Sequence, residues 1–104
     1  MQEEKIIIKL MKKYDYLAVV YASQIRGGAI IGLDKEDLVQ EFRIKLYNTI
    51  VSYGVSLVEW DNKEREIEPI SSIKVYIKTC LKNYKNEFFK RIEIESKIIS
   101  REAI

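Results

Sequence analysis

The chain has no histidine among its 104 residues. That removes the commonest general base and the commonest metal ligand. A single cysteine, Cys80, excludes an internal disulfide and suits a reducing compartment, expected to be the cytoplasm. One proline and four glycines leave little to interrupt long helices. No apolar run approaches the roughly 18 residues of a membrane span, and the first residues do not read as a signal peptide. Neither charge dominates: 18 Lys and Arg stand against 16 Asp and Glu, a net +2. A nucleic-acid binder is therefore not announced by total charge, and the distribution has to be read instead. With no histidine, one core-like cysteine and no glycine loop to cradle a phosphate, no catalytic constellation can be assembled. The expectation is a binding protein, not an enzyme, without metal or cofactor.

What is present is a hydrophobic share of 47% and a charged share of 33%. These are the proportions of a soluble globular protein, and the length fits one domain over residues 1–104. The fold class expected is all-α: a compact bundle of three long helices, with room for a short fourth at the C-terminus. Heavy use of Ile, Lys and Tyr points to an AT-rich genome, such as that of a low-GC bacterium or its phage.

The clearest stretch begins at Asp34. Its carboxylate can accept from the free amides of a first helical turn, making it a natural N-cap. Glu36 and Asp37 then place negative charge at the positive end of the helix dipole. Leu33 and Leu38 have the spacing of a hydrophobic staple. Leu38, Phe42, Leu46, Ile50 and Tyr53 recur every three or four residues and form one apolar face. Gly54 closes the run, so the helix is expected over 34–53. Asp37, Gln40 and Glu41 are left on its polar surface within about one turn. Such a face is either a solvated first turn or an acidic docking surface for a basic partner.

A first helix is expected over 2–26. Ile7, Leu10, Met11, Tyr14, Leu17, Ala18, Tyr21, Ala22 and Ile25 form its apolar stripe, and Lys5, Lys9, Lys12 and Lys13 cover the other side. Gly27-Gly28 ends it, and Ala29-Ile30-Ile31 connects it to the capped turn. Residues 54–70 are expected as a loop, with a short strand-like piece at Val55–Trp60. Its five acids outweigh Lys63 and Arg65. Trp60 is read as capping the bundle. Pro69 and Ser71-Ser72 announce a third helix over 71–91 or longer. Ile73, Tyr76, Ile77, Cys80, Leu81, Tyr84 and Phe88 supply its buried face. Tyr76, Tyr84 and Phe88 are expected to lean inward and Phe89 outward. Lys74, Lys78, Lys82 and Lys85 form a second stripe, extended by Lys90 and Arg91, against the single acid Glu87. Residues 92–104 either prolong this helix or form the short fourth one.

The run Gly32-Leu33-Asp34-Lys35-Glu36-Asp37-Leu38-Val39-Gln40-Glu41 resembles the start of region 2.2 in the bacterial sigma factor family. The usual form there is Asp-Leu-(Ile/Val)-Gln-Glu after a capped turn. The preceding helix is similar to region 2.1. The stretch from Ile73 to Arg91 is similar to regions 2.3 and 2.4. There Tyr76 stands for the usual Trp, Ile77 for Leu, Asn83 for Asn and Asn86 for Asp, with Lys90-Arg91 as the basic end. The resemblance covers about residues 9 to 91, and the 54–72 link is longer than the family's.

The resemblance implies a sigma region 2-like subunit. Asp37, Leu38, Gln40 and Glu41 match the positions that hold the clamp helices of the largest RNA polymerase subunit. Lys74, Lys78, Lys82, Asn83, Lys85, Phe89, Lys90 and Arg91 would engage the non-template strand of promoter DNA at the minus-ten element. Nothing after residue 91 reads as the domain that reads the minus-thirty-five element. A second protein supplying that region 4 function is therefore expected, as in stand-alone phage late sigma factors or split sigma factors. The alternative is a small helical protein–protein adaptor or transcription regulator that does not touch promoter DNA.

Overall fold

The computed structural model describes residues 2–54, 60–63, 66–69 and 72–102. Three α-helices dominate the described residues: α1 (Gln2–Ser23), α2 (Lys35–Tyr53) and α3 (Ser72–Glu102). The class is all-α, with one small β-ribbon inserted between α2 and α3.

α1 stops at Ser23, short of residue 26. Ser23 Oγ donates back to the Val20 carbonyl at 2.7 Å. Gly27, at φ 82°, then opens a single 3-10 turn, Gly28–Ile31, which Gly32 closes at φ 75°. The short connector Ala29-Ile30-Ile31 is thus a turn of 3-10 helix. Gly28 is required by space: a Cβ there would lie 2.8 Å from the Leu33 carbonyl oxygen and 3.0 Å from a Leu38 methyl. The Leu33 amide donates to the Gly28 carbonyl at 2.9 Å and fixes this approach.

α2 begins as its sequence predicts. Asp34 has extended backbone, and its Oδ1 accepts from the Asp37 amide at 2.8 Å. Asp37 Oδ2 reciprocates by accepting from the Asp34 amide at 3.1 Å, completing a capping box. Leu38, Phe42, Leu46 and Ile50 are all buried. Full burial of a side chain such as Phe42 contributes about 1.5–3 kcal/mol.

Side-chain contacts set the helix directions. Arg43 Nε donates to Asp15 Oδ1 at 2.8 Å, across the antiparallel pair α1–α2. The Asp15 carboxylate raises the Arg43 guanidinium above its ordinary pKa, through its hydrogen bond first and its charge second. Tyr53 meets Tyr76 with ring centroids 5.1 Å apart, while Phe42 meets Tyr84 and Phe88 at 5.1 and 5.6 Å. α3 therefore runs antiparallel to α2 and parallel to α1. Ile73, Ile77, Leu81, Phe88 and Ile92 complete the core.

For α3 one open alternative is settled and one expectation is corrected. It continues unbroken to Glu102, so residues 92–102 prolong it and no separate fourth helix appears among the described residues. Tyr76 and Cys80 sit at the edge of the packed face, not inside it: Tyr76 is 37% exposed and Cys80 half-buried. At 100° per residue they lie off the line of Ile73, Ile77 and Leu81, with the Tyr76 ring against Tyr53 at the end of α2.

The expected loop 54–70 is also corrected. Its described part is an antiparallel pair, β1 (Trp60–Lys63) and β2 (Glu66–Pro69), with Trp60 opposite Pro69 and Lys63 opposite Glu66. Pro69 lies in β2, an edge strand of this two-stranded ribbon, where its missing N–H is tolerated. Of the expected strand-like piece Val55–Trp60, all but Trp60 lies outside the described residues, as does the expected capping role of the Trp60 side chain.

Candidate protein and nucleic-acid interfaces

The α2 surface opposite the core is the first candidate interface. Asp37 and Gln40 stand exposed on its first two turns. Glu41 is partly buried and turned toward α3, where its Oε2 accepts from the Tyr84 hydroxyl at 3.2 Å. Leu38 is buried at 4% exposure and touches the Gly28 backbone side of the turn. Leu38 thus lies in the core, as its place in the apolar stripe predicts, and not on the outer surface with Asp37 and Gln40. One position after Asp37 on a helix, it falls in line with Phe42 and Leu46. The four expected residues split into two that face outward, one shared with α3 and one inside.

Sequence reasoning missed part of this surface. Ile44, Tyr47 and Val51 are 57%, 49% and 47% exposed and continue the line of Gln40 along α2. Of Arg43 and Tyr47, which the sequence places further along α2, Tyr47 stands on this face, whereas Arg43 is turned toward Asp15 of α1. A signal was available: Ile44, Tyr47 and Val51 recur at helical spacing but out of phase with Leu38, Phe42, Leu46 and Ile50. The face therefore changes character along its length, acidic and amide-bearing at the start and apolar for two further turns.

The second candidate interface is on α3. Lys74, Lys78, Lys82 and Lys85 fall on one flank, with Phe89 following at 39% exposure. That flank adjoins α1. Lys85 Nζ donates to Gln24 Oε1 at 2.8 Å and lies 5.5 Å from the Tyr21 ring centroid. Asn83 and Lys90 lie round the back of the helix, away from this row. Arg91 lies on the α2 flank, its guanidinium carbon 5.9 Å from the Phe88 ring centroid. The eight expected DNA-binding residues are thus not one surface. Five share the α1 flank, and Asn83, Lys90 and Arg91 do not join them.

Charge and aromaticity on the lysine flank are simple. Glu87, the single acid between Ile73 and Ile92, lines the opposite flank with Tyr84 and Arg91. Tyr84 and Phe88 are committed to the aromatic cluster with Phe42, their ring centroids 5.0 Å apart. Phe89 is the aromatic residue of this flank that remains available to a ligand. A row of ammonium groups ending in an exposed ring can hold a polyanionic backbone and stack one base.

Among the described residues, no group of three His, Cys, Asp or Glu side chains could hold a metal ion. No described helix is long and apolar enough to cross a membrane. Comparison with protein-family models, with curated proteins and with solved structures finds no match.

Proposed function

We propose that the protein is a sigma region 2-like subunit that binds RNA polymerase through α2 and single-stranded promoter DNA through the lysine flank of α3. One observation carries the reading. A capped helix presents Asp37 and Gln40 outward, and a neighbouring helix packed on the same core carries an acid-free lysine row. Exposed carboxylate and amide oxygens are acceptors for arginine donors, and charge-assisted pairs of this kind are among the stronger polar contacts. Opening a DNA step costs on the order of 1–2 kcal/mol of stacking. Stacking an unpaired base on an aromatic ring returns about 1–3 kcal/mol.

The test is capture of core RNA polymerase by the tagged full chain. Glu36→Lys/Gln40→Lys reverses the charge of the face while leaving the Asp34–Asp37 cap and the Glu41–Tyr84 bond in place. It is expected to lower retention at least tenfold, with an unchanged helical circular-dichroism spectrum. Equal retention by wild type and variant would end the assignment.

A second reading is favoured by Ile44, Tyr47 and Val51. An apolar strip of this kind suits a protein partner irrespective of DNA, as in a helical adaptor or regulator. Capture of one small protein without polymerase, together with no affinity for single-stranded DNA, is the outcome that reading predicts.

A further inference from the structure

α1 and α2 are built to the same plan at a constant offset of 28 positions. Leu10 and Leu38, Tyr14 and Phe42, Ala18 and Leu46, and Ala22 and Ile50 are the matched core pairs, all buried. At this offset the surfaces opposite the core pair Lys9 with Asp37, Lys12 with Gln40, Tyr16 with Ile44 and Val19 with Tyr47, and the N-terminal turns are basic on α1 and acidic on α2. On α1, exposed Lys5, Lys9 and Lys12 are followed by exposed Tyr16, Val19 and Val20. On α2, exposed Glu36, Asp37 and Gln40 are followed by exposed Ile44, Tyr47 and Val51. Both helices therefore carry their charge in the N-terminal half and an apolar strip in the C-terminal half.

We infer that α1 of one copy docks along the outer face of α2 of a second copy, with the two helices parallel. In that direction the lysines lie level with the acidic turns and Tyr16, Val19 and Val20 lie level with Ile44, Tyr47 and Val51. The reverse direction places Lys5, Lys9 and Lys12 on the apolar strip and leaves them unpaired. Within one chain α1 and α2 are antiparallel and joined through other flanks, so this contact uses surfaces the fold leaves open. The two docking surfaces are different, so the contact is head-to-tail and propagates instead of closing as a two-fold dimer. A net charge of only +2 offers little repulsion to such growth.

One helix lying along another buries on the order of 1,200 Å² or less, the low end for specific interfaces, where weak and transient contacts fall. Its polar half makes it salt-sensitive. A docked copy covers Gln40, Ile44 and Tyr47, so self-association and any other partner on that face are mutually exclusive. The inference does not rest on which partner that is.

Sedimentation velocity on the full chain, from about 10 to about 500 µM at low salt, tests it. The sedimentation coefficient is expected to rise with concentration and to fall back on adding salt. Lys9→Glu/Lys12→Glu and Glu36→Lys/Gln40→Lys are each expected to remain monomeric at the highest concentration. An equimolar mixture of the two restores association, because the reversed faces complement each other. Circular-dichroism melts near that of the wild type confirm that both variants fold. A wild type that is monomeric throughout, reversal variants that associate as well as the wild type, or a mixture that stays monomeric would each overturn the proposal. None of these readouts involves polymerase, so a failure here is distinct from a failure of the proposed function.

Discussion

The Tyr84 phenol sits where α2 and α3 meet. Its ring packs edge-on against Phe42 and Phe88, Lys45 Nζ lies 5.4 Å from its centroid, and its hydroxyl donates to Glu41. Burial pushes its pKa above the ordinary value of 10.0, and the charge of Glu41 and the hydrogen bond to it push the same way. The folded chain therefore holds this proton more tightly than the unfolded chain. The corresponding stability is complete below about pH 10 and is lost as pH rises through the raised value. Tyr84→Phe removes the hydroxyl and is expected to cost about 0.5–1.5 kcal/mol at neutral pH. The gap between wild type and variant in urea unfolding should shrink above pH 10. A gap constant across that range would show that the hydroxyl contributes nothing through its ionisation. None of this was visible in the sequence beyond the inward lean of Tyr84, because Glu41 and Tyr84 are 43 residues apart.

At the scale of the element, what was legible was local. The Asp34 cap and the stripe from Leu38 to Ile50 follow from spacing within one helix, and the structure places them as read. Tyr76 and Cys80 could not be placed that way. Tyr76 meets Tyr53 of a different helix, and spacing within α3 alone does not fix how much of its edge that contact covers. The ribbon Trp60–Lys63 and Glu66–Pro69 has strands of four residues each, too short for a period-2 signal to stand out; Glu66-Ile67-Glu68 is its one trace. The Asp34 cap gives the cleanest element-level expectation. Asp34→Ala leaves the Asp37 amide without its acceptor and should cost about 1 kcal/mol. That corresponds to a loss of about 4–8 °C in melting temperature for a domain near this size. Asp34→Asn keeps an acceptor oxygen and should melt close to wild type. If the alanine variant melted there too, the cap would not be setting the start of α2.

Across the whole molecule, the directions of the three helices decide which charges act together. Because α3 runs parallel to α1, its lysine flank lies beside a helix whose own outer face is basic, while Lys90 and Asn83 look elsewhere. The sequence row alone could not make that division, since all eight residues fall within 18 positions of one helix. The division has a measurable consequence. For single strands the logarithm of the binding constant falls with the logarithm of salt by about 0.7 for each phosphate neutralised. Lys74, Lys78 and Lys82, with Lys85 held partly by Gln24, predict a slope near −2 for a short oligonucleotide. Lys78→Ala/Lys82→Ala should flatten that slope by about 1.4, and Lys90→Ala should leave it unchanged. Fluorescence anisotropy over a salt series distinguishes the two variants. If Lys90→Ala flattened the slope as much as the loss of one row lysine, the backbone would be tracking the far side of α3. The α1 flank would then not be the path of the strand.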